Sequence, residues 1–262
     1  MWKDTRIYLC DDTVDGVLSA VYEAGISGYG HEYIRIQPRK PGEALELTLF
    51  ADYVTVESDS EKSARVAEAV RSKISYQAYF YMMNAAASCF DDRADAIYQF
   101  VTYGFTMGSK VCGAMQLPCV QRIFEIKRAV ANETHFWREF MRFQEINEKP
   151  AVLLAVFEPK HRVVSMVTEH FADRFNAENF IIFDKSHMEA AFHAASGEWE
   201  VRHLLEDEAG KLESLSEQKE EYVDLWCAFF DSIAIKEREN KNLQRNLMPL
   251  HYRKHVTEFN RG

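Results

Sequence analysis

Long apolar runs, closely spaced cysteines and glycine-rich phosphate loops are all missing from this 262-residue sequence. The best apolar run, Ala151 to Phe157, is far short of the roughly 20 residues that span a bilayer, so it reads as a buried strand. The N-terminal Met1-Trp2-Lys3-Asp4-Thr5 leads straight into a strand pattern with no signal-peptide apolar core, which predicts a cytoplasmic protein with no membrane contact. The five cysteines (Cys10, Cys89, Cys112, Cys119 and Cys227) are scattered and odd in number. They form no Cys-x-x-Cys pair and no CxxxCxxC, which argues against a disulfide framework, a structural zinc or an iron–sulfur site in this chain. Gly-x-Gly-x-x-Gly, GxxxxGK[ST], HExxH and GxSxG are absent too, so a dinucleotide cofactor, a P-loop, a zincin and an α/β-hydrolase find no support.

What is present is ordinary globular composition, with 47% hydrophobic and 27% charged residues, enough to bury one large core or two smaller ones. The net charge of −10 argues against indiscriminate coating of nucleic acid. It leaves room for a local basic site, because charges more than about 8 Å apart are largely screened at physiological salt.

The pattern along the chain predicts an α+β fold: a helix-rich N-terminal half, then a small antiparallel sheet with packed helices in the C-terminal half. Two regions are expected, 1–117 and 118–262. A strand at Arg6–Cys10 runs into Asp11-Asp12-Thr13, residues suited to capping a helix that carries Val14, Val17, Leu18 and Val21. Strand patterns at Glu32–Ile36 and within Ala44–Glu57 precede a helix capped by Asp59 or Ser60 and ending near Lys73. Helices near Tyr76–Cys89 and Asp92–Thr106 follow, and Pro118 opens a long one running toward His135. From Phe140 to Ile146 alternation takes over, and Glu148-Lys149-Pro150 turns it into Ala151–Glu158, a hairpin signature. A helix through Val167 and Arg174, and strands at Phe180–Asp184, Met188–His193 and Glu198–His203, complete the region. Residues 206–224 are acidic and read as a solvated linker with a helix start. Tyr222, Leu225, Trp226, Phe229, Phe230 and Ile233 form an apolar stripe at helical spacing, most simply a core face.

Three clusters can carry chemistry. In the first, Arg138 and Arg142 are four residues apart beside His135, placed to clamp a phosphate or carboxylate, or else to pair with Glu133, Glu139 and Glu145. In the second, His170 and Asp173 stand at i and i+3, with Arg174 next to them. These types suit an acid–base pair, with His135, His170 and Asp173 as candidate catalytic groups. Together with Asp184 at a strand end, the same residues are the metal candidates, although nothing in their spacing demands a metal. Buried, hydrogen-bonded side chains are the plainer reading of both clusters. The third is the basic C-terminal run from Lys236 to Gly262, in which seven Lys or Arg stand against three Glu. There Arg238, Lys241, Arg245, Arg253 and Lys254 suit phosphates, Asn240 suits a base edge, and Tyr252 suits stacking.

The stretches HFADRF (170–175), FIIFD (180–184), LWCAFF (225–230) and KERENKNLQRNLMPLHYRKHVTEF (236–259) resemble a bacterial family called probable DNA metabolism protein. YLCDDTVDGVLSAVYEA (8–24), SEKSARV (60–66) and YGFTMG (103–108) agree with it, so the resemblance covers almost the whole chain. His135, Arg142, His170, Asp173, Arg174, Arg238, Asn240 and Arg245 match its pattern, whereas Phe136 and Glu139 replace an Arg and a Gly. Members are typically encoded beside a radical-SAM protein and are sometimes fused to a uracil-DNA-glycosylase-like domain. The resemblance therefore implies a DNA modification or repair accessory that binds DNA or RNA and works with a radical-SAM partner. The iron–sulfur cluster and S-adenosylmethionine would then belong to the partner, and no cofactor to this chain. Two other readings stand beside it: a metal-dependent or acid–base nucleic-acid enzyme, and an interaction module whose aromatic stripe docks a partner helix.

Overall fold

The computed structural model describes residues 4–40, 42, 48–146, 151–216, 248–253 and 255–256. The chain divides into two compact units, Met1–Ala131 and Asn132–Gly262. Their composition is α+β throughout, and the first unit is the helix-rich one.

The first unit is built on a three-stranded parallel sheet of order β2-β1-β3, with β1 Thr5–Asp11, β2 Ile34–Arg39 and β3 Ala51–Thr55. The central strand β1 buries Ile7 to Cys10 without alternation, as expected where helices cover both faces of a parallel sheet. Helix α1 (Val14–Ile26) starts where the sequence predicts, with the Thr13 hydroxyl accepting from the Gly16 N–H. Its first turn lies so close to β1 that a Cβ on Gly16 would fall 2.5 Å from the Asp11 carbonyl oxygen, so glycine is required there by contact. Asp11 accepts a hydrogen bond from the Ser58 hydroxyl, and Asp12 pairs with the buried guanidinium of Arg93. The acidic pair therefore fastens strand ends and helices beyond simple capping.

Asp59 caps α2 (Ser60–Lys73) by accepting from the Glu61 and Lys62 N–H groups. The fully buried Ser19 of α1 both donates to the Asp59 carbonyl and accepts from the Asp59 N–H, which pins α1 to the start of α2. Helices α3 (Tyr76–Ala86) and α4 (Arg93–Met107) complete the layer, followed by a 3₁₀ segment, Gly108–Gly113.

Helix α5 (Pro118–Phe140) begins at the expected proline and runs on past His135 to Phe140, where the strand was expected to begin. Val130, Glu133, Thr134 and Trp137 are all buried, so one helical face holds to the end of α5, and residues 141–143 that follow it are not a strand. Only Gln144–Ile146 (β4) is extended, and it pairs antiparallel with β5 (Val152–Phe157) as the hairpin signature predicts. The second unit's sheet has the order β4-β5-β6-β7-β8, with β6 Phe180–Asp184, β7 Glu189–His193 and β8 Trp199–His203. It is mixed and not wholly antiparallel: β5 and β6 run parallel because α6 (Val164–Arg174) carries the chain back between them. Phe143, Phe171, Phe175 and Phe180 pack edge-on beneath α6, with ring centroids 4.9–5.8 Å from Phe143. Part of the acidic segment is helical, as α7 (Glu206–Ser216). The aromatic stripe 222–233 lies outside the described residues.

Candidate functional site

Two groups of polar side chains in the second unit answer to the clusters of the sequence, and they differ in character. The first lies on α5 and α6. Arg138, on the last turn of α5, donates from Nη2 to the Met166 carbonyl of α6 at 2.6 Å. Its Nε is buried and meets no acceptor among the described residues. On α6, His170 is half-buried one turn before the exposed Arg174. Burial, and then the charges of Arg138 and Arg174, hold the His170 imidazole below the usual histidine range, while Asp173 pulls the other way. Two arginines from different helices thus reach the field of one histidine. The expected pair Arg138 and Arg142 is not on one helix face, because α5 ends at Phe140 and Arg142 turns back toward the Phe140 and Met141 carbonyls at 3.4 Å. His135 is exposed and paired with Glu139 one turn along at 3.2 Å.

The second group sits where the parallel strands β5 and β6 end side by side, with Phe157 opposite Asp184. Open α/β sheets place their ligands outside such carboxyl ends. Asp184, a metal candidate in the sequence, has no exposed surface; it accepts the His187 ring at Nδ1 at 2.7 Å and the His187 backbone N–H at 3.1 Å. Burial raises the Asp184 pKa, and the hydrogen bond and charge of His187 oppose that rise. The loop leaving β5 brings in His161 and Arg162. Glu133 of α5, itself buried, accepts from the Lys160 N–H at 2.9 Å and the His161 N–H at 2.8 Å and so holds this loop in place. His161 is pushed below the usual histidine range by burial, and His187 adds to the effect against the pull of Glu133. Arg162 pairs with Glu189 at the start of β7. No three His, Cys, Asp or Glu side chains among the described residues come together to hold a metal ion.

His161, His187 and Arg162 were not singled out in the sequence. The only local sign was their place just after two apolar strands; their approach depends on the parallel pairing, which the residues alone did not show.

The C-terminal run is described only in part. Tyr252 is buried, its ring packed on Trp137 at 4.7 Å and Phe136 at 5.1 Å, so it serves the core and not an exposed stacking platform. Arg253 is half-buried and donates from Nε to the Met248 carbonyl. Arg238, Asn240, Lys241, Arg245 and Lys254 lie outside the described residues.

The model of a family described as a domain of unknown function (DUF4130) matches residues 91–258. The match takes in α4, α5 and both polar groups of the second unit, and leaves the sheet of the first unit outside it. No curated protein matches the chain. No helix among the described residues is long and apolar enough to cross a membrane.

Proposed function

We propose that this chain, a member of the DUF4130 family by a match covering more than half its length, binds the phosphate backbone of nucleic acid as an accessory in DNA metabolism. The observation that carries the reading is the convergence of Arg138 and Arg174 on His170. Guanidinium groups match phosphate geometry bidentately, and the exposed Arg174 beside His170 is open to a phosphate oxygen. The radical-SAM protein implied by the resemblance is the partner in this reading. It would perform the redox chemistry with its own cluster and S-adenosylmethionine while this chain holds the strand.

Gel-shift titrations of single- and double-stranded oligonucleotides, from about 50 to 200 mM salt, test the proposal. Binding is expected to weaken with salt, and each of Arg138→Ala and Arg174→Ala should flatten the log–log slope by about 0.7 to 0.9. Absence of binding at low salt, or slopes unmoved by either substitution, removes this reading.

A second reading, general-base chemistry on a phosphodiester, is favoured by one observation. The Asp184 carboxylate fixes His187 through Nδ1, which leaves Nε2 as the ring's proton-accepting nitrogen. In that step Nε2 takes a proton from water, the water oxygen bonds to phosphorus, and the ester P–O bond breaks with the leaving oxygen taking its proton from solvent. Hydrolysis of bis-p-nitrophenyl phosphate by the wild type that is lost in His187→Gln would support it. No turnover by the wild-type protein would end it.

A further inference from the structure

A cavity of about 480 Å³ opens in the first unit among α1, α2, α4 and the 3₁₀ turn His31–Tyr33. Its volume falls within the range of about 300–1,000 Å³ typical of small-molecule sites. Val21, Val66 and Val101 form an apolar floor, and all three are buried. Two large apolar side chains stand at its rim with more than half their surface exposed, Ile26 at 64% and Phe105 at 52%. Neither belongs to the packed core of the unit, and both lie where a bound molecule would cover them.

The polar groups are few and differ from end to end. At one end the His31 Nδ1 and the Tyr98 hydroxyl are 2.7 Å apart, with the Tyr98 ring buried. Burial pushes the Tyr98 phenol up to about 12, so it stays a neutral hydroxyl that both donates and accepts. Elsewhere on the wall stands Arg65, whose nearest partners are distant: the Tyr22 hydroxyl at 3.5 Å and the Glu61 carboxylate at 3.8 Å. A guanidinium has five donors, and these two contacts use them weakly. Tyr22, His31, Tyr98 and Phe105 give the cavity four aromatic rings against a single cation.

Flat rings, a neutral hydrogen-bonding pair and one underused cation suit a particular ligand. We infer that this cavity binds a planar aromatic molecule bearing an anionic group, its ring among Tyr22, Tyr98 and Phe105 and its charge toward Arg65. The site is separate from both polar groups of the second unit and stands whether or not the chain binds nucleic acid. Gly25 supplies a way to close it: it lines the cavity, and a Cβ built there meets nothing within 4 Å. A larger side chain at this position enters open space without a clash, and it replaces a helical glycine, which by itself favours the helix by up to about 1 kcal/mol.

The probes are 8-anilinonaphthalene-1-sulfonate, read by its fluorescence, and adenosine monophosphate with adenosine as its uncharged counterpart, read by displacement of the dye. The 262-residue chain should show one saturable dye site from which the monophosphate displaces the dye better than the nucleoside does. Gly25→Leu should abolish that site while the thermal unfolding midpoint is kept or raised. Ala69→Phe, on the facing helix, should do the same and guards against an indirect effect of the first change. Arg65→Ala should weaken the dye about tenfold and remove the advantage of the monophosphate. Saturable binding that survives both filling variants, or no saturable binding at all, overturns the site. Equal displacement by nucleoside and monophosphate overturns the anionic half of the assignment.

Discussion

The pairing of Asp184 with His187 makes a prediction whose size follows from burial. The Asp184 carboxylate is fully enclosed and has two donors, the His187 ring at 2.7 Å and the residue-187 backbone N–H at 3.1 Å. His187→Ala removes the ring and keeps the backbone donor. Leaving a buried acceptor without one of its donors costs about 1–3 kcal/mol, and more when that acceptor is a charged carboxylate held away from water. The acceptor is a fully enclosed carboxylate but keeps its backbone bond, which together place the expected loss at about 3 kcal/mol. Adding Asp184→Asn to this variant takes the stranded charge away and keeps the shape, so the double variant should regain about 1–2 kcal/mol. The sign with pH follows from the raised Asp184 pKa. Folding favours the protonated acid, so its contribution is complete below the ordinary carboxylate range and is lost as pH rises through the elevated folded value. The gap between single and double variants should therefore be widest at neutral pH and close on acidification. Urea unfolding followed by tryptophan fluorescence reads the right unit, since Trp137, Trp199 and Trp226 all lie within residues 132–262. With a urea slope of about 2 kcal/mol per molar, a loss of about 3 kcal/mol moves the midpoint by roughly 1.5 M. A double variant no more stable than His187→Ala, or a gap that ignores pH, refutes the reasoning.

Two further outcomes are expected. Gly16→Ala should destabilise the first unit by about 1–3 kcal/mol in thermal or urea unfolding despite the better helix propensity of alanine, because its Cβ would press on the Asp11 carbonyl oxygen. Since burial and two arginines depress His170, its ring is neutral at physiological pH and gains charge only below the usual histidine range; oligonucleotide affinity at fixed salt should therefore rise on acidification in the wild type, and much less so in His170→Gln.

Local signals in the sequence placed most elements well. Thr13 and Asp59 cap the helices they were expected to cap, and Lys73 ends α2 as expected. Phe180–Asp184 is a strand over the predicted residues. Capping and strand formation depend on neighbouring residues, so a single sequence carries them. The error at Phe140 came from the same local reasoning. Residues 140–146 alternate, yet only Gln144–Ile146 is a strand: α5, with Val130, Glu133 and Trp137 buried along one face, takes Phe140, and residues 141–143 join the two without regular structure.

The candidate sites were harder to see for a different reason. Arg138, His170 and Arg174 were nominated from composition, and they do come together, but through a pairing of α5 with α6 that no spacing within either helix specifies. The dyad illustrates the limit more sharply. Asp184 stood out as a carboxylate at a strand end, and that position suggested a metal. His187, only three residues on, is what its carboxylate holds. That bond forms because the chain turns back at once into β7, antiparallel to β6, and keeps the intervening loop over the strand end. Meanwhile β5, arriving parallel on the other side, delivers His161 to the same edge. A parallel neighbour is recruited by a crossover helix whose own sequence says only that it is amphipathic. What sequence reasoning needed was therefore the direction of one strand relative to another. Had β5 run antiparallel to β6, as in a wholly antiparallel sheet, His161 would leave from the opposite end of the strands and the two histidines would never meet. The same step, from an antiparallel to a mixed sheet, corrects the fold and creates the candidate site.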